Sequence, residues 1–349
     1  MNSSTSNFDA TGVVERPPRP VASVFPRPSG KTLDGTLQIR SEIKAVLLTL
    51  LVLLCADVAL RLAELKLSND VRHIRSLPEI ARALSSGPTP RVVFLGNSLT
   101  RFGVAPAAWT SALEELNVPK GSMAKVVPDE STMPDWYYVV RNNLIEPGRE
   151  PDLLILGFAL NQLTDERLQP GRLGAYFCNR QNVRELFAHD LPGLGAKCDF
   201  LMGSMSRLYG VRDEIQVRFG DAFIPGYRES VQHLNKTRLR KSAPGNLQTT
   251  GGKAHSYALL ERALKLWREK GIEVVLVAMP TPYEYELDPA VAGMAQSAGV
   301  RLIDARKLAA LTAEDFPDGY HMGKRAAEIY TRYLAESVVD TLREKAGAE

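Results

Sequence analysis

Three stretches of this chain carry side chains whose types and order could perform acyl chemistry. The first is "RVVFLGNSLTRFGV" (91–104), in which the apolar run Val92–Leu95 leads straight into Gly96, Asn97 and Ser98, as a buried strand leads into a tight turn that lifts one hydroxyl out. The second, "LLILGFALNQLTD", places Asn161 just beyond another apolar run, and the third, "EDFPDGYHMGKRAAEIYTRYLAE", sets Asp318 three residues before His321 at the head of a helix-like segment. A serine hydroxyl is a weak nucleophile until an imidazole accepts its proton. The imidazole in turn needs a carboxylate to hold its tautomer and stabilise its cation. Ser98, His321 and Asp318 are candidates for those three roles. The Asn161 amide and the Ser98 backbone N–H are candidate donors to the oxyanion that forms when an acyl carbonyl is attacked.

Each residue also has a plainer reading. A Gly-Asn-Ser turn after a strand occurs for local hydrogen-bonding reasons alone, and Asp318-Gly319 before a helix would serve equally as a turn and cap. Of the other imidazoles, His73 lies in the segment before the first strand, His189 and His233 between 162 and 250, and His255 at a helix start, so His321 alone combines this spacing with a position beyond a strand end.

These side chains need strands to position them. Short apolar runs at 91–96, 123–128, 152–158, 272–279 and 300–303 alternate with helix-like segments at 106–117, 134–145, 252–270, 288–298 and 322–344. That alternation predicts an open parallel α/β sheet with helices on both faces. Ligands in such sheets bind at the carboxyl ends of the strands, and Ser98, Asn161 and the Asp318–His321 pair all follow strands on that rim. Between 162 and 250 the alternation fails, and Gly, Pro, aromatic and basic residues suggest a largely helical insertion. Its Tyr176, Phe177, Arg180, Arg207, Tyr209, Tyr227 and Arg228 are either a carbohydrate-contacting lid or the insertion's own core and solvated face.

In type and order the three stretches resemble the blocks of the GDSL, or SGNH, hydrolase superfamily over about residues 91–166 and 270–340. The resemblance implies a flavodoxin-like sheet, with Ser98 as nucleophile, His321 as base, Asp318 as its orienting acid and Asn161 as oxyanion donor. It implies no cofactor and no metal. Two blocks depart from the family pattern. No glycine lies between Val126 and Tyr138, where an oxyanion glycine is expected, leaving Ser131 or a backbone N–H to substitute; and Gly157 and Asn161 are separated by three residues, with Gln162 following.

The remaining chain suggests where such a domain would work. The 349 residues hold 43 basic and 40 acidic side chains with no dense basic run, which argues against nucleic-acid binding. Residues 1–41 hold five prolines among small polar residues and are expected to be a disordered tail. Residues 42–63 contain a sixteen-residue run between Lys44 and Arg61 whose only charge is Asp57, and read as a single transmembrane helix. Six basic against four acidic residues up to Lys44 favour a cytoplasmic N-terminus, with the bulk of the chain periplasmic or extracellular. Residues 64–90 read as a stalk, and 91–345 as the SGNH-like domain. Cys178 and Cys198 form a possible disulfide in an oxidising compartment. Anchored members of the family resemble proteins that acetylate surface polysaccharides, so the implied partners are an acylated or acyl-accepting glycan, a multispanning membrane acyltransferase and the membrane itself. Esterase and O-acyltransferase both remain open, as does a non-catalytic glycan-binding or assembly subunit that keeps the fold.

Overall fold

In the computed structural model the described residues are 35–227, 229–231, 234 and 255–347. The chain divides at Val52/Leu53 into two compact units. The first contains the start of helix α1 (Gly35–Leu67), whose stretch Ser41–Leu62 is long and apolar enough to cross a membrane. At 1.5 Å per residue those 22 residues span about 33 Å, close to a bilayer's hydrocarbon thickness. The tail expected at 1–41 lies outside the described residues as far as residue 34, and from Gly35 onward the chain is helix.

The second unit is built on five parallel strands: β1 (Arg91–Leu95), β2 (Ser122–Val126), β3 (Leu153–Phe158), β4 (Glu273–Ala278) and β5 (Arg301–Asp304). Their spatial order is β2-β1-β3-β4-β5, the flavodoxin-like order. Successive strand residues face opposite sides, so continuous apolar runs serve two cores. Val93, Leu95, Leu154, Leu156, Leu276 and Ala278 face one layer. Val92, Phe94, Leu153, Ile155, Val275 and Val277 face the other.

The first layer is covered by α2 (Asn69–Ser85) and α5 (Met133–Val140), with Leu259, Leu260, Ala263, Leu264 and Trp267 of a later helix. On the second lie α3 (Ser98–Gly103) and α4 (Pro106–Glu115), with Trp109 edge-on to Phe94 at 4.9 Å. Within the insertion, short helical turns between 170 and 190 precede α6 (Gly193–Met205), α7 (Arg207–Gly210) and α8 (Arg212–Phe223). The chain then returns through α9 (Ala258–Glu269), α10 (Pro289–Ser297), α11 (Lys324–Ser337) and α12 (Val339–Ala346). The single helix expected over 322–344 is two, broken at the fully buried Val338.

The stalk expected at 64–90 is replaced by packed structure from Asn69. Val71, Ile74, Leu77, Ala81 and Leu84 of α2 repeat at helical spacing and are buried, so the helix is part of the domain. Arg72, Arg75, Glu79 and Arg82, among the polar residues that suggested a stalk, form its solvent face. Cys178 and Cys198 are free thiols, Cys178 packed against the first core and Cys198 exposed on α6, so the possible disulfide is not present. Tyr176, Phe177, Arg207 and Tyr209 are spent on the insertion's own packing: Phe177 is buried, the Arg207 guanidinium lies 4.8 Å over the Tyr176 ring, and the Tyr209 hydroxyl donates to Asp199 at 2.5 Å. Arg228, His233 and residues 235–254 lie outside the described residues.

Candidate active site

Strand β1 ends at Leu95, and Gly96 and Asn97 turn the chain into α3, whose first residue is Ser98. Gly96 is required by close approach: a Cβ there would meet Thr100 Oγ1 at 2.0 Å and the Gly157 carbonyl at 2.9 Å. Asn97 caps the helix by accepting from the Leu99 N–H, and its amide donates to the Ser131 carbonyl. Ser131 is fully buried beneath this turn; its hydroxyl donates toward the Gly96 and Pro128 carbonyls and accepts from Trp136 Nε1. Ser131 therefore supports the turn and has no spare proton for an oxyanion, which removes its hydroxyl from the candidates.

The turn leaves Ser98 half-buried, with its hydroxyl 2.9 Å from His321 Nε2. His321 Nδ1 is 2.7 Å from Asp318 Oδ2. With Nδ1–H donating to the carboxylate, Nε2 is left as the acceptor for the Ser98 proton. Burial works against charge on Asp318, but the His321 N–H, the imidazole and the Tyr320 N–H outweigh it and hold the carboxyl below its ordinary value. Asp318 thus stays a carboxylate at neutral pH. The imidazole is flanked by the Phe102 and Tyr320 rings, with centroids at 4.7 and 4.9 Å. Phe102 is exposed, so one wall beside the base is apolar and open.

Asn161 follows β3 in a turn whose preceding residue, Leu160, has φ of 55°. Its carbonyl accepts from the Thr164 N–H and hydroxyl, holding the turn closed, while its side-chain amide makes no hydrogen bond to a described residue. The Ser98 N–H, first in its helix, has no carbonyl of its own helix to reach. Gly157 is structural: a Cβ would meet Thr100 Oγ1 at 2.6 Å and Met279 Sδ at 2.8 Å.

Two features escaped the sequence reading. The loop after β2 contains no glycine, yet Glu130 adopts φ of 55°, the left-handed region that a search for glycine would overlook. That loop is held by Asp70 of α2, whose carboxylate accepts from the Asp129 N–H at 2.7 Å, Arg101 Nη2 at 2.9 Å and Arg172 Nη2 at 3.0 Å. One carboxylate thereby ties the helix carrying Ser98, the loop after β2 and the insertion together. The surroundings of Tyr320 bring further charge to the rim. Burial raises its phenol, the Arg167 charge opposes that, and Glu130 and Asp318 add to it.

Of the other histidines, His73 accepts from the Val127 N–H, and burial with the nearby Arg101 charge lowers it to about 4. His255 pairs at 3.7 Å with Glu166, and His189 is exposed in the insertion. No group of three or more His, Cys, Asp and Glu side chains suited to a metal exists among the described residues.

No family model matches the chain, and no curated protein matches it. Among solved structures it is similar to a lipase/acylhydrolase from Enterococcus faecalis, with 11% identity over 73% of this chain and 98% of that one and a TM-score of 0.37. It is also similar to an acetyl-xylooligosaccharide esterase from Geobacillus, with 13% identity over 72% and 95% of the two chains and a TM-score of 0.36. A catalytic mutant of an acetylxylan esterase from Geobacillus stearothermophilus aligns at 12% identity over 76% and 97%, with a TM-score of 0.35.

Proposed function

We propose that this chain is a serine esterase or O-acyltransferase of SGNH type, acting through an acyl-serine intermediate at Ser98. The observation that carries this reading is the relay Ser98 Oγ, His321 Nε2, His321 Nδ1, Asp318 Oδ2, with links of 2.9 and 2.7 Å at the carboxyl end of a parallel sheet. Ser98 Oγ adds to the ester carbonyl carbon while His321 takes its proton. The carbonyl oxygen becomes an oxyanion that accepts from the Ser98 N–H and the Asn161 amide, and the Glu130 N–H is the donor we assign to the loop that lacks a glycine. Collapse breaks the ester C–O bond, and the leaving alkoxide takes the proton from His321. The second half runs in reverse, with water as acceptor in hydrolysis or a hydroxyl of a second substrate in transfer. No step calls for a metal or cofactor.

The finer assignment is that the acyl group is acetyl, borne by or transferred to a glycan outside the cytoplasm, with the span at 41–62 as anchor and a multispanning acyltransferase as donor partner. Its support is the helix stretch Ser41–Leu62, the one among the described residues long and apolar enough to cross a membrane, and the open rim beside Phe102, which suits a bulky acceptor.

The test is labelling of the folded full-length protein with a fluorophosphonate probe, alongside hydrolysis of p-nitrophenyl acetate. Labelling and turnover that both vanish in Ser98→Ala are expected. A folded wild-type protein that takes no label and hydrolyses no ester would overturn the catalytic reading in favour of a glycan-binding subunit.

A further inference from the structure

We infer that helix α6 of the insertion lies on the lipid surface, its exposed side seated at the headgroup boundary beside the end of α1. This rests on the reading of 41–62 as a membrane span. The first observation is an inverted amphipathic pattern. Phe200 and Gly203 turn α6 toward the domain, yet the opposite side carries Leu194, Cys198, Leu201, Met202 and Met205, spaced at i, i+4, i+7, i+8 and i+11 and all exposed. That is one continuous apolar stripe on the side where a surface helix normally places charge. The next long helix adds Phe219 and Phe223, stacked at 5.6 Å and also exposed.

The second observation says what covers it. Asp57, the one charge inside the apolar run of α1, is buried against the insertion: it accepts from Ser206 Oγ at 2.9 Å, the Leu208 N–H at 2.8 Å and Arg61 Nε at 2.7 Å. Arg61 in turn donates to the Met205 carbonyl at 2.5 Å. The C-terminal end of the α6 stripe is therefore hydrogen-bonded to the stretch of α1 whose successive turns carry exposed Leu54, Val58 and Leu62. Within the span Ser41–Leu62, Asp57 lies about 24 Å along the helix from Ser41 and so falls near the far edge of a hydrocarbon layer roughly 30 Å thick. Asp57 is thereby drawn to the edge of the bilayer, and the partners that satisfy it are drawn to the same depth. An apolar stripe held at that depth finds acyl chains rather than water.

The native Cys198 provides the probe. In full-length protein with Cys55→Ala and Cys178→Ala, reconstituted in nanodiscs of phosphatidylcholine and phosphatidylglycerol, Cys198 is labelled with a nitroxide. Its collisions with oxygen are compared with those of a water-soluble nickel chelate. Reference labels sit at Thr49→Cys, inside the span, and Glu269→Cys, on an exposed helix end; both are made in a Cys198→Ala background. The expected oxygen-to-nickel ratio at Cys198 lies well above that at Glu269→Cys and approaches that at Thr49→Cys. A bilayer reading at Thr49→Cys with an aqueous reading at Cys198 overturns the inference and leaves the anchor standing. An aqueous reading at Thr49→Cys overturns the anchor and this inference with it. A label at Cys198 shielded from both reagents means that protein covers the stripe, and also overturns it.

Discussion

Ser98 and His321 are separated by 223 residues and meet at 2.9 Å. Neither belongs to a strand. Each sits in the turn opening a helix, and the parallel sheet brings both turns to one rim.

If the two act as a unit, Ser98→Ala and His321→Ala should each reduce ester turnover by roughly 10⁴- to 10⁶-fold, with the double variant little worse than either. Asp318→Ala should cost less, because it orients the imidazole and stabilises its cation without touching substrate. Steady-state kinetics on the four proteins checks this, and additive losses would disprove the relay.

Asn161→Ala should lower kcat by about 10²- to 10³-fold with little change in KM, because the oxyanion exists only near the transition state. Thermal stability should hardly move, since the amide has no hydrogen-bond partner among the described residues to lose.

Asp70→Ala should destabilise by about 3 kcal/mol, because it strips Arg101 and Arg172 of a largely buried counter-ion. It should also lower turnover, because the loop carrying Asp129 and Glu130 loses its tether. Asp70→Asn, which keeps an acceptor for the Asp129 N–H, should recover part of both in urea unfolding and kinetic assays.

One buried group, Asp135, and one part-buried group, His73, should give the stability profile opposing slopes. Burial raises Asp135 to about 6, with Arg172 and the Thr132 N–H working against it. Between about pH 4 and pH 6 the native state keeps a proton that the unfolded chain releases, so this contribution is present at acid pH and lost as pH rises through 6. His73, at about 4, behaves oppositely: its contribution is present above the unfolded value of about 6.5 and lost as pH falls through 4. The Tm of Asp135→Asn minus that of wild type should therefore rise from pH 4 to 6. The same difference for His73→Gln should rise as pH falls from 6.5 to 4.

A reporter fused after Glu349 should be active only if it is a type that functions outside the cytoplasm, given the basic flank before the apolar span. Activity of a cytoplasmic reporter there would reverse the orientation.

The strands were legible in the sequence because a sheet covered on both faces demands unbroken apolar runs: the expected 152–158 and 272–279 are found as Leu153–Phe158 and Glu273–Ala278. The candidate site was legible for a related reason, since its groups follow strand ends and Asp318 and His321 are local to one turn. Tertiary structure alone decided that α2 is core, because a helix with a polar face reads as a stalk until something is seen to cover the other face. It also decided that Ser131 is buried support and that Glu130 takes the left-handed conformation in place of a glycine. The Asp70 and Asp57 networks were equally hidden, because each carboxylate gathers partners from segments 31 to 151 residues away. Periodicity records which face of an element is apolar. Which distant donors a lone carboxylate will meet depends on how the elements pack.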